Sequence, residues 1–133
     1  MSVHQVGAVS LDVTVAAAAD DERYLTWPFP GTWLVEYIAM APATAVALDA
    51  SNYWTTTISA NDGAAGAFAS IGAHNTTTGG DALVLGTTIS VTPTAGADIE
   101  LTQGDILKFA KVETGTGAAW DGAYTVYCRK LRV

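Results

Sequence analysis

Short alternating segments, broken about every ten residues by Gly, Asn, Asp or Pro, are the feature that most constrains this chain, because they leave no stretch in which a long helical stripe could develop. The triplets Thr55-Thr56-Thr57 and Thr76-Thr77-Thr78 point the same way, since β-branched residues pack well on a pleated surface and lose rotamer freedom in a helix. Many short strands separated by turn residues predict an all-β chain, an antiparallel β-sandwich or barrel.

Individual strands follow from the alternation. Ser10 to Val15 places Leu11, Val13 and Val15 on one face and Asp12 and Thr14 on the other. Residues 16 to 22, four alanines and then Asp20-Asp21-Glu22, read as a loop, because an acidic cluster at a helix C-terminus opposes the dipole. Thr32 to Ala41 puts Trp33, Val35, Tyr37 and Ala39 on one face and Leu34, Ile38 and Met40 on the other. Tyr53 to Ala60 turns Trp54, Thr56 and Ile58 to one side and ends at Asn61-Asp62-Gly63, a turn signal. Weaker strands are predicted at Ala67 to Ile71, Ala82 to Leu85, Thr87 to Thr92 (closed by Pro93) and Asp98 to Leu101. A Gln103-Gly104-Asp105 turn leads into Ile106 to Glu113. A Gly-rich loop from Thr114 to Gly122 then joins a final strand, Ala123 to Arg132, and those last two strands are expected to pair as a hairpin. With 133 residues there is room for one domain: an N-terminal arm with the first strand over 1–22 and a sandwich body over 23–133.

Charge narrows the partners. The formal net charge is −7, and residues 1 to 107 hold eleven acids and one base (net −10), whereas 108 to 133 hold five bases and two acids (net +3). A field of that sign repels phosphate backbones and anionic lipid, so neither nucleic acid nor membrane is expected as a partner. No apolar run reaches the roughly 18 residues of a membrane span. The first ten residues lack both the basic and the apolar parts of a secretory signal, which predicts synthesis in the cytosol. Cys128 stands alone, so no intrachain disulfide forms, and it reads as a small buried hydrophobe.

Catalytic chemistry finds no constellation. His4 lies near the N-terminus and His74 in a Gly/Ala/Thr-rich stretch read as loop, neither beside a nucleophile. One Cys and two distant His do not make a zinc site, and Asp20-Asp21-Glu22 lacks the alternating spacing of a calcium loop. Gly79-Gly80 and Gly115-Thr116-Gly117 lack the Lys-Ser/Thr pair of a phosphate loop. The expectation is therefore no enzyme, no metal and no cofactor. Aromatic residues say more. Trp27-Pro28-Phe29-Pro30 and then Trp33 concentrate three large rings in a proline-stiffened segment, either plugging the sandwich or meeting a partner. Trp120, read as a loop-tip residue, and the apolar Val3, Val6 and Val9 of the arm complete the candidate interface with Trp27, Phe29 and Trp33. The same rings offer an alternative, a carbohydrate-binding module with Trp54, Trp120 or Trp33 stacking on a sugar.

The run Tyr53-Trp54-Thr55-Thr56-Thr57-Ile58-Ser59, the turn in Leu101-Thr102-Gln103-Gly104-Asp105-Ile106-Leu107 and the closing Tyr124-Thr125-Val126 resemble the capsid decoration (cement) proteins of tailed bacteriophages, over roughly residues 32 to 133. They are also similar to jelly-roll domains of the trimeric tumour-necrosis-factor type. The resemblance implies a jelly-roll-like β-sandwich with an extended N-terminal arm, forming oligomers, often trimers, on the capsid exterior of a virion assembled in the host cytoplasm. It implies the major capsid protein as partner, with the arm reaching onto it, and no enzymatic activity. A fibre or tail component with the same fold is the other member of that class.

Overall fold

The computed structural model describes residues 5–61, 68–91 and 99–132. Val3, His4, the Asp62-Gly63 half of the expected turn and Pro93 lie outside them. Nine strands follow in order: β1 (Val6–Val15), β2 (Asp21–Thr26), β3 (Thr32–Pro42), β4 (Tyr53–Asn61), β5 (Ala69–Asn75), β6 (Ile89–Val91), β7 (Glu100–Thr102), β8 (Ile106–Thr114) and β9 (Trp120–Arg132). Among the described residues there is no helix.

Two antiparallel sheets face each other. One runs β1-β9-β3-β6, with the short β7 also on β3, and the other runs β2-β8-β4-β5. The pairs are nested: β1 with β9, β2 with β8, β3 with β6 and β7, and β4 with β5. A chain folded back on itself in that way and then rolled, so that alternate pairs enter opposite sheets, is a jelly roll.

Nesting explains the largest departure from the sequence reading. β8 and β9 do not form a hairpin; β8 lies between β2 and β4, β9 lies between β1 and β3, and residues 115–119 cross from one sheet to the other. Trp120 is accordingly no loop-tip residue but the first residue of β9, fully buried. β1 starts at Val6, four residues earlier than the alternation predicts, so residues 6–9, expected in the arm, are paired with β9. Asp21 and Glu22 open β2 rather than ending a loop, and residues 82–85 contribute only the isolated bridge Val46↔Leu83.

In β3 a bulge reverses the predicted faces. Val35 pairs with Cys128 and Tyr37 with Tyr127, so Glu36 is an extra residue on β3. Trp33 and Val35 point inward before it, Ile38 and Met40 after it, and Tyr37 is turned outward onto Tyr127, ring centroids 4.4 Å apart. β4 keeps the expected inward Trp54, Thr56 and Ile58.

Between the sheets runs a chain of aromatic rings. Trp54 lies 5.6 Å from Trp120, Trp120 lies 5.5 Å from Tyr124, and Tyr124 stacks on Phe109 at 4.8 Å, so two neighbouring rings of β9 are flanked by one ring from each of β4 and β8 in the facing sheet. Each such pair adds about 0.5–1.5 kcal/mol beyond the area it buries. At the opposite end Trp27, Phe29 and Trp33 form a second cluster with centroids 5.1–5.9 Å apart.

Candidate functional site

The aromatic cluster is structural. Trp27 and Trp33 are buried and Phe29 half-buried; Trp33 Nε1 donates to the Pro30 carbonyl at 3.0 Å, and the Trp27 main chain is tied to the 103–105 turn by Trp27 N to Asp105 O (2.7 Å) and Gly104 N to Trp27 O (2.9 Å). Gly104 has φ 97°, the left-handed conformation that lets this turn close. Trp27, Trp33 and Trp120 thus present no ring to a partner. Trp33, Trp54 and Trp120 likewise offer no face for stacking a sugar. Of the valines named from sequence, Val6 is 70% exposed and Val9 is half-buried against the core.

Exposed apolar side chains occur on several strands, Val6, Tyr24 and Val112 among them, and three more share one end of the sandwich. Val15 pairs with Trp120, Pro42 with Gly122, and Tyr53 with Thr114, which brings the segments 16–20, 43–52, 76–88 and 115–119 to the same end. These four loops expose Leu48, Val84 (54%) and Leu85 (65%) among alanines, threonines and glycines. Their only charges are Asp20, Asp49 and Asp81, with no Lys or Arg.

The loops brace one another. The Asp49 carboxylate accepts the Ser51 and Asn52 amides, both at 2.8 Å, and those two donors hold its pKa below the ordinary carboxylate value. Asn52 Oδ1 in turn accepts the Thr116 amide and hydroxyl, both at 2.9 Å, linking loop 43–52 to loop 115–119. Asp49 N donates to Thr76 O (3.1 Å), Val46 and Leu83 exchange two bonds at 2.9 Å, and Ala18 N donates to Gly117 O (2.9 Å). Asp20 Oδ1 accepts the Glu113 amide at 2.7 Å.

A buried cation anchors this end from below. Lys111 Nζ donates to the Ala19 carbonyl at 2.9 Å, forms an ion pair with Glu113 and lies 5.7 Å over the Trp54 ring. Losing one member of such a buried pair leaves the other charge uncompensated, which is costly. Lys111 carries no signal of this burial in the sequence, because a Lys within an alternating strand reads as solvent-facing.

His74 is in β5 rather than in a loop, buried, and its ring nitrogens have no hydrogen-bond partner among the described residues. Burial pushes its pKa down, partly countered by Asp81. It borders a cleft of about 310 Å³ with Asn75, Asp81 and Ser90. Cys128 is buried in β9 as expected, and burial pushes its thiol up to about 12. Among the described residues no group of three or more His, Cys, Asp or Glu is placed to hold a metal ion.

The missed surface residues, Leu48, Val84 and Leu85, carried one usable signal. Ala82 to Leu85 is an apolar run without alternation, set between Gly80-Asp81 and Gly86, as a loop displaying its side chains would be.

No protein-family model matches the chain, and no curated protein matches it. Among solved structures, a chain in the structure of infectious bursal disease virus, Gx strain, is similar at 10% identity and a TM-score of 0.36, over 97% of this chain and 32% of that one. This chain thus spans about a third of that chain's length.

Proposed function

We propose that the protein is a virion structural component that binds the outer surface of a phage capsid, with the major capsid protein as its partner, and stabilises the shell by adhesion rather than catalysis. Jelly rolls recur among capsid and lectin domains, which supports the reading only as an architectural analogy. The observation that carries it is the loop end, which is apolar, free of basic residues and held rigid by Asp49, Asn52 and the Val46↔Leu83 bridge. A surface ordered before contact loses little conformational entropy on binding, so a small apolar patch suffices for useful affinity. Many copies on one particle multiply a weak contact. The three aspartates add a salt-dependent preference for basic ground on the shell.

Two measurements test this. Quantitative mass spectrometry of density-purified particles, normalised to the major shell protein, is expected to give hundreds of copies; a handful would move the protein to a tail or fibre, and absence would remove the virion reading. A Val84→Asp/Leu85→Asp variant is expected to bind stripped particles at least tenfold more weakly at unchanged thermal stability, since both side chains stand in solvent. Undiminished binding would exclude the loop end as the contact.

A further inference from the structure

We propose that β1 is a self-pairing edge: two copies of this chain join β1 to β1 antiparallel about a two-fold axis near Val9, continuing the larger sheet across both molecules. Four strand edges or edge pairs border the described sheets, and three are blunted. β2 carries Asp21, Glu22 and Arg23, β5 meets β4 through a bulge at Ile58/Ser59, and β6 and β7 are three residues each. Charge, bulging and shortness are the usual protections against edge-to-edge association. β1 is neither short nor bulged, and it is sparsely charged. It is ten residues long, its register with β9 runs unbroken from Val6↔Arg129 to Val15↔Trp120, it contains neither Lys nor Pro, and Asp12 is its one charge.

Backbone directions define the free stretch. Lys130 N donates to Gln5 O at 2.9 Å, so Gln5 and the odd-numbered residues after it bond to β9, and the even-numbered ones turn their N–H and C=O groups out of the sheet. Thr14 confirms the phase, because its carbonyl is outside the ladder and accepts Arg23 Nη2 at 3.0 Å. That guanidinium caps the edge, leaving Val6, Ala8, Ser10 and Asp12 with main-chain groups that meet no partner among the described residues. A two-fold axis uses all four only if Val6 meets Asp12 of the second copy and Ala8 meets Ser10, giving about eight main-chain hydrogen bonds.

Charge and apolar surface favour a second copy in that register. The two Asp12 side chains stand about 20 Å apart, beyond the Debye length at physiological salt. Beside the edge Val9, Leu11, Leu25 and Phe29 are only half-buried against the core, an apolar seam on the β1–β2 side that a second copy covers. Edge pairing with such a seam falls short of the roughly 1,200 Å² of a standard interface, so the pair is concentration-dependent. The oligomer is two-fold, in place of the trimer implied by the resemblance to decoration proteins, and it stands apart from the shell-binding reading.

Analytical ultracentrifugation of the full chain up to roughly 1 mM tests the pairing, a range that reveals even millimolar association. The expected result is a mass rising toward that of a dimer, with an Ala8→Pro variant at least tenfold weaker in association and unchanged in thermal midpoint. Proline at residue 8 removes only an N–H that faces away from β9, and Gly7 before it imposes no side-chain clash. Amide hydrogen exchange on the unaltered chain gives a second readout: protection at Ala8, Ser10 and Asp12 is expected to rise with concentration. A chain that stays monomeric, an assembly untouched by Ala8→Pro, or amides at 8, 10 and 12 that exchange equally fast at all concentrations would each overturn the proposal.

Discussion

His74 sets an acid limit on stability. Folded, its imidazole has a pKa lowered by burial and only partly restored by Asp81; unfolded, it takes a proton near its ordinary value of about 6.5. The unfolded chain therefore binds more protons below that pH, so stability is fully present above about 6.5 and declines as the pH falls toward the folded pKa. Urea midpoints at pH 7.5 and 5.5 are expected to differ for the native chain and to converge for His74→Leu, which removes the titrating group. An equal decline in both would assign the acid sensitivity elsewhere. At this scale the sequence was partly legible. The buried Cys128 was foreseen, whereas Trp120 was not, because a tryptophan after Gly-Thr-Gly-Ala-Ala reads the same whether it ends a loop or begins a strand.

Among the elements, β3 and β9 show where alternation stops being informative. A period of two identifies a strand but says nothing of an inserted residue, and one bulge at Glu36 is enough to exchange the faces of everything after it. The glutamate's pairing with Arg129 at 3.0 Å, on the outer face, is visible only once β3 and β9 are neighbours. β9 is confined more tightly still, because β1 and β3 press on it from both sides. A Cβ at Gly122 would stand 2.2 Å from the Ala41 carbonyl oxygen, a main-chain atom that cannot swing away. Gly122→Val is expected to cost about 1–3 kcal/mol, measured as a shift in urea midpoint. A neutral substitution would show that the β3–β9 spacing yields more easily than the ladder suggests.

For the whole molecule, local signals predicted the class and left the wiring undetermined. Turn residues and alternation locate most strands within a few residues, but each strand's partner depends on pairing across long stretches of chain, which no local pattern encodes. Hence β8 and β9, adjacent in sequence and joined by a Gly-rich loop, look like a hairpin and are in fact divided between the sheets. Such non-local pairing also governs speed: refolding followed by tryptophan fluorescence is expected in milliseconds to seconds, because Trp54 and Trp120 meet only when the sheets close. Microsecond refolding would contradict that order of events. During synthesis the same wiring imposes a wait. β1 emerges first and its neighbour β9 last, with roughly a hundred residues between Val15 and Trp120, or about 5–20 s of translation. Throughout that interval neither side of β1 has its final hydrogen-bonding partner, so nascent chains on neighbouring ribosomes can meet strand to strand before either has closed. Expression temperature and translation rate thus become determinants of how much correctly rolled protein a cell obtains.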